Sequence, residues 1–177
     1  SSIPTPSQVS ALLRTRRSRF PKNYTGLTVP RAALDAALSA ARWAPSHHLT
    51  QPWRFVVFSG DKKDRLGTFL AEEYRRSSGS SFSQAKYDKK LSNISKTSHV
   101  VAIVCSYKGK PHVSEEVAAT AIAVHNMQLA LYAGGYAGYW SSAAVYDEGR
   151  MEEEGDGWKV VNPLSTREVL GLEEDEG

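Results

Sequence analysis

Four arginines fall within six positions near the start of the chain, Arg14, Arg16, Arg17 and Arg19, with Ser18 beside them. A guanidinium presents its N–H groups as a planar fork that matches two phosphate oxygens, and Ser18 adds a hydroxyl donor. The set suits one terminal phosphate. The same residues would serve as a solvated basic helix end, where cations complement the macrodipole. A nucleic-acid patch is the third reading, but no recognised RNA- or DNA-binding motif accompanies it. A second stretch runs from Arg42 to Val57 and holds two prolines, two imidazoles (His47, His48), two hydroxyls (Ser46, Thr50) and the Gln51 amide. Pro45 biases Ala44 away from the helical region and has no N–H to donate, so a helix must end there. Pro52 fixes the entry to an apolar run. So stiff a connection, rich in hydrogen-bonding groups, is suited to holding a polar ligand against a rigid scaffold. It would also be a plain helix–strand turn with solvated histidines. A third stretch, Gly134 to Ser142, joins a glycine pair to Trp140, Ser141 and Ser142.

Metal chemistry has little support in the sequence. Neighbouring His47 and His48 point different ways in a turn, His99, His112 and His125 are scattered, and no carboxylate–histidine spacing typical of a metal site is present. Cys105 is the single cysteine, so there is no intrachain disulfide, and its apolar setting reads as a strand where it packs as a small hydrophobe.

The elements that must position these residues follow from periodicity and caps. Ser7 can cap a first helix carrying Val9, Leu12, Leu13 and Arg16. Pro30 suits the first turn of a second, with Leu34, Ala37, Leu38 and Ala41 as its apolar stripe. Trp53 to Phe58 reads as a strand, and Asp61 as the cap of a third helix reaching about Arg76. Residues 77–83 are rich in Ser and Gly and read as flexible, with a polar helix after them. Val100 to Ser106 reads as a strand buried on both faces. The longest helix starts near Ser114 and runs to the glycines, with Gly134 as its left-handed cap. Being apolar nearly all round, it is expected in a large core or a dimer interface, so that Ala123→Glu would disrupt both interface and ligand site. His125 and Asn126 are structural there, with Asn126 bonding across the interface. Tyr139 to Val145 is a candidate third strand, 147–162 an acidic loop, and Ser165 with Glu168 a capping box for a short helix ended by Gly171.

A chain of 177 residues, 41% of them hydrophobic, fits one domain with a real core. The net charge of +3 hides an asymmetry. Residues 1–146 hold 19 Lys/Arg against 8 Asp/Glu, whereas residues 147–177 hold 3 against 11. The basic part attracts anionic ligands, and the acidic part reads as self-screening or a solvated loop. No run approaches the ~20 apolar residues of a membrane span. A cytoplasmic location is expected, with organelle import left open because the chain starts at Ser1.

Three of these stretches together resemble a known family. Ala44-Pro45-Ser46 followed by Gln51-Pro52-Trp53 and Phe55 is similar to the Ala-Pro-Ser-x-x-x-x-Gln-Pro-Trp-x-Phe segment of the nitroreductases. Arg16-Arg17-Ser18-Arg19 resembles their Arg-Arg-Ser-x-Arg run, and Gly135 to Trp140 their Gly-x-x-x-x-Trp turn. The three occur in the family's order and at about its spacing, and the histidine after Pro-Ser points to its compact branch. The resemblance implies an α+β fold with a mostly antiparallel sheet flanked by helices, the long central helix lying at a homodimer interface. It implies a single domain over residues 1–177. It also implies FMN, with Arg16, Arg17 and Ser18 on phosphate and ribityl chain. His47 and Gln51 would reach the flavin from the partner subunit, Ser46 would be a further cofactor-binding residue, and Trp140, Ser141 and Ser142 would line the flavin's other flank.

On that basis the expected activity is transfer of hydride from NADH or NADPH through FMN to a nitroaromatic, quinone or similar small acceptor, by a ping-pong route. The flavin carries the hydride, so no protein acid or base is assigned a catalytic role. Phe82 and Tyr87, flanking or following the Ser/Gly-rich stretch, are candidate lid residues over a planar acceptor, or ordinary core aromatics of a helical hairpin. The departures are Leu49, where some relatives have asparagine, and Ser141, where some have a basic residue. The acidic loop looks long, and the chain stops where relatives enter a last strand, so that a C-terminal strand is expected to be missing. A flavin-fold protein that binds FMN without general reductase activity stays open, as does a basic nucleic-acid-binding domain.

Overall fold

The computed structural model of the chain describes residues 3–106 and 111–141. These group into two compact units, the first built from residues up to Trp53 together with those from Lys108 to Trp140, the second from Arg54 to Tyr107 and onward from Ser141.

The first unit is helical. Helix α1 (Pro6–Thr15) is capped by Thr5, two residues before Ser7. Thr5 Oγ1 accepts the Gln8 N–H at 3.4 Å while Gln8 Oε1 accepts the Thr5 N–H at 2.8 Å. This reciprocal box wins because it satisfies two orphan donors and puts Pro6 at the first helical position, where no N–H is needed. Helix α2 (Arg31–Ala41) buries Leu34, Ala37 and Ala41, the expected stripe save for half-buried Leu38. It packs along α5 (Val113–Ala133), whose Ala119, Ala123, Val124 and Met127 are buried. Alanines on both sides let the two helices approach closely. Ala123 is fully buried inside this one chain, so a charge there would break the protomer before it tested any interface.

At the 100° step of a helix, the buried positions of α5 fall on one side, with Val117, Ala118, Ile122 and His125 on the other. Val117 and Ile122 stay 51% and 41% exposed, and Asn126 is half-buried. The left-handed residue after α5 is Gly135, at φ 83°, not Gly134, at φ −80°. The helix ends at Ala133, as expected, but Gly134 is its cap and the chain reverses at the next glycine.

The second unit pairs β1 (Trp53–Ser59) with β2 (His99–Cys105) in a small antiparallel sheet. Between the strands, α3 (Gly60–Ser78) and α4 (Gln84–Ser95) form a hairpin, joined by a single 3-10 turn at Gly79–Ser81. The stretch expected to be flexible, 77–83, thus comprises the last two residues of α3, the 3-10 turn and the two residues that lead into α4. Gly67 sits against Ile94, where a Cβ would come within 2.9 Å of that side chain, so the close α3–α4 approach requires glycine. Lys63 is buried and reaches the Ile94 carbonyl (2.9 Å) and the Asp64 carboxylate (2.9 Å), tying down the end of α4. In β2 only Val104 is fully buried, and Cys105 is half-buried, so the two-sided burial expected of this strand is not seen. Tyr139 to Ser141 lack strand geometry. The rest of that candidate strand, the acidic loop and the Ser165–Gly171 helix lie outside the described residues.

Candidate functional site

At the end of α1, the Arg16 N–H closes the helix on the Leu12 carbonyl (3.1 Å). Arg17 folds its Nη1 onto the carbonyls of Arg14 (2.6 Å) and Arg16 (2.8 Å), satisfying acceptors that the helix terminus leaves orphaned. Arg16 is half-buried; Arg14, Arg17, Ser18 and Arg19 are exposed. The chain then meets the segment after α5. The Arg19 N–H donates to the Gly138 carbonyl (3.1 Å), and the Phe20 and Tyr139 rings lie 5.2 Å apart. Tyr24 donates its hydroxyl to the Arg19 carbonyl (2.9 Å). Burial, reinforced by Tyr139, pushes the Tyr24 phenol above its ordinary value. The first and third motifs therefore converge: Trp140, 52% exposed, follows directly on the segment that holds Arg19. Ser141 is exposed and belongs to the second unit, and Ser142 lies outside the described residues.

The second motif sits at the other end of α5. Ser46 Oγ accepts the Gln51 N–H (3.0 Å), closing a tight turn in which His47 and His48 stack at 4.1 Å. His48, Leu49 and Gln51 all take positive φ (55°, 54° and 46°). For non-glycine residues this costs on the order of 1 kcal/mol or more each and persists only where the surroundings enforce it. Two side chains of α5 supply that enforcement. His47 Nδ1 donates to Glu115 Oε2 (2.5 Å), and Thr50 Oγ1 donates to Glu116 Oε2 (2.8 Å). His47 and Gln51 themselves remain exposed, and Ser46 is half-buried.

In the sequence Glu115 and Glu116 read only as the acidic start of the longest helix. Two acids in the first turn of a helix are accounted for by the macrodipole alone. Nothing in the sequence marks Glu116 as 1% exposed. Leu49, in place of the asparagine of some relatives, points 82% of its surface to solvent.

The two motif clusters thus lie at opposite ends of a 21-residue helix. At ~1.5 Å per residue they are about 30 Å apart along its axis.

The candidate lid residues belong to the second unit. Phe82 lies between Tyr74, tilted at 5.8 Å, and Tyr87, edge-on at 6.2 Å, and the Tyr87 hydroxyl donates to Glu72 (2.5 Å). That bond raises the Tyr87 phenol. Among the described residues no three His, Cys, Asp or Glu side chains gather to hold a metal ion, and no helix is long and apolar enough to cross a membrane.

A family model described as the nitroreductase family matches residues 13–176. The Bacillus subtilis protein YfhC, which bears a provisional NAD(P)H nitroreductase name, is 26% identical over 141 residues, 77% of this chain and 71% of that protein. A nitroreductase-like family protein from Bacillus cereus superposes with a TM-score of 0.71 at 20% identity, over 99% of this chain and 83% of that one. A nitroreductase-type protein from Desulfovibrio desulfuricans, solved in complex with FMN, gives a TM-score of 0.53 at 26% identity, over 74% of this chain and 64% of that one.

Proposed function

The chain belongs to the nitroreductase family, and from that premise we propose that it is an FMN-dependent oxidoreductase passing hydride from NADH or NADPH to a nitroaromatic, quinone or similar small acceptor. The observation that carries the reading is the separation of the motifs. One end of α5 gathers the arginine run and Trp140, and the other gathers Ser46, His47 and Gln51. About 30 Å is too far for both sets to touch one flavin in a single protomer. Two copies related by a two-fold axis, with their α5 helices antiparallel, bring the first set of one against the second set of the other. The exposed side of α5, with Val117, Ala118 and Ile122, is the apolar surface such a pair would cover.

The donor set fits FMN. Arg16, Arg17 and Ser18 offer charged forks and a hydroxyl for one dianionic phosphate, and no Gly-x-Gly-x-x-Gly loop is present to cradle a pyrophosphate. When bound, FMN supplies the hydride chemistry for both half-reactions, the donor leaving before the acceptor enters. The protein's own groups hold and orient. Arg16 and Arg17 anchor the phosphate. His47, its Nδ1 proton directed at Glu115, offers its other ring nitrogen as a hydrogen-bonding group, and exposed Gln51 follows on the same turn. We read the family match, which runs through both units, as one nitroreductase-like domain.

Denaturing the purified protein and chromatographing the released cofactor tests the assignment. FMN supports it; FAD or no flavin after incubation with excess FMN rejects it.

A further inference from the structure

Glu116 is almost completely buried, yet its carboxylate has a single hydrogen-bonded oxygen among the described residues. Oε2 accepts from Thr50, and Oε1 is buried without a hydrogen-bond partner there. Thr120, one turn further along α5, also buries a hydroxyl without one. Burying a carboxylate with incomplete hydrogen bonding is destabilising, and an apolar side chain of similar volume commonly packs as well or better. A group so expensive to stability calls for another explanation. Its partner supplies one, for Thr50 lies between Leu49 and Gln51, in the turn where three residues are held at positive φ. The neighbouring Glu115 takes His47 of the same turn.

We propose that Glu116 is a positioning residue for flavin binding: through Thr50 it locks the 47–51 turn, with its three residues at positive φ, so that His47 and Gln51 are presented ready-formed to the cofactor. Glu115 holds the His47 imidazole from the exposed side, whereas Glu116 holds the Thr50 hydroxyl from within. The inference rests on the proposed flavin site, and its test separates the two.

In Glu116→Leu, the thermal midpoint stays equal or rises, while FMN Kd weakens about tenfold or more, the scale seen when hydrogen-bonding partners behind a ligand-binding group are removed. Amide hydrogen exchange of residues 47–51 in the flavin-free protein speeds up by a similar factor, and exchange in α2 does not. Glu116→Gln, whose amide oxygen still accepts from Thr50, restores both to within about threefold. Thr50→Val, which removes the donor and leaves the helix untouched, reproduces the Leu phenotype. If Glu116→Leu and Thr50→Val bind FMN like the parent with unchanged exchange at 47–51, the proposal is overturned. A fall in midpoint with uniform acceleration of exchange throughout the first unit overturns it too, because Glu116 is then merely structural. If the parent binds no FMN, the site reading fails, and faster exchange confined to 47–51 still decides whether Glu116 locks the turn.

Discussion

Ile122→Glu is the perturbation that separates a two-chain site from a one-chain site. Ile122 lies on the side of α5 turned away from α2, and 41% of its surface is open in a single chain. Fully burying such a side chain is worth roughly 1.5–3 kcal/mol, so covering the open part contributes about 1 kcal/mol, counted once in each copy of a two-fold pair. Glutamate forfeits that and places an unpaired carboxylate in each half of the interface, at a cost of about 3–5 kcal/mol. Together the loss is at least about 5 kcal/mol per dimer, on the order of several thousandfold in dimer Kd. The protomer should hardly notice, since exposed substitutions usually stay within about 0.5 kcal/mol. Ala123→Glu, one position on but fully buried, should instead unfold the chain. Sedimentation velocity read at both protein and flavin wavelengths follows mass and cofactor together. The expected result is a folded, colourless monomer. A monomer that keeps its flavin would refute the shared site, and an unchanged dimer would refute the placement of the interface on this face of α5.

Arg16→Ala should weaken FMN by roughly 1.5–3 kcal/mol, one lost charge-assisted contact, read by fluorescence titration of flavin-free protein. Phe82→Ala and Tyr87→Ala should alter steady-state rates with a large aromatic acceptor more than with a small one, leaving flavin content and reduction by NAD(P)H intact; equal losses everywhere would assign the pair to the α3–α4 hairpin alone. Tyr24 binds its proton more tightly folded than unfolded, so its contribution to stability is complete below pH 10 and is lost as the pH rises through the higher folded value. Unfolding midpoints at about pH 9 and pH 11 should therefore fall more for the parent than for Tyr24→Phe.

Much of this was legible in the sequence because periodicity and prolines act locally. The stripe of α2, the span of α5 from near Ser114 and the strand after Pro52 all follow from patterns within a dozen residues. The misses have a common cause. Thr5 outcompetes Ser7 as a cap because Gln8 completes the reciprocal bond, and Gly135 rather than Gly134 takes the left-handed position because Gly134 is still the cap of α5, at φ −80°. Each is a choice between residues one or two positions apart and of nearly equal propensity. The positive φ of Leu49 could not be read from a leucine, whose branched side chain disfavours it. It exists because α5 holds the turn through Glu115 and Glu116, 68 and 66 residues away in sequence from their respective partners His47 and Thr50. Burial of Glu116 is likewise a tertiary fact, written on its own helix as an ordinary acidic first turn.

The most direct test of the central claim is the visible spectrum of the FMN-loaded protein under anaerobic conditions, first with NADH or NADPH and then with a nitroaromatic or quinone. The account predicts a flavin spectrum that bleaches with one nicotinamide and returns when the acceptor is added after the oxidised nicotinamide has been removed. A protein that binds FMN but is bleached by neither nicotinamide, or stays bleached with every acceptor, would contradict it.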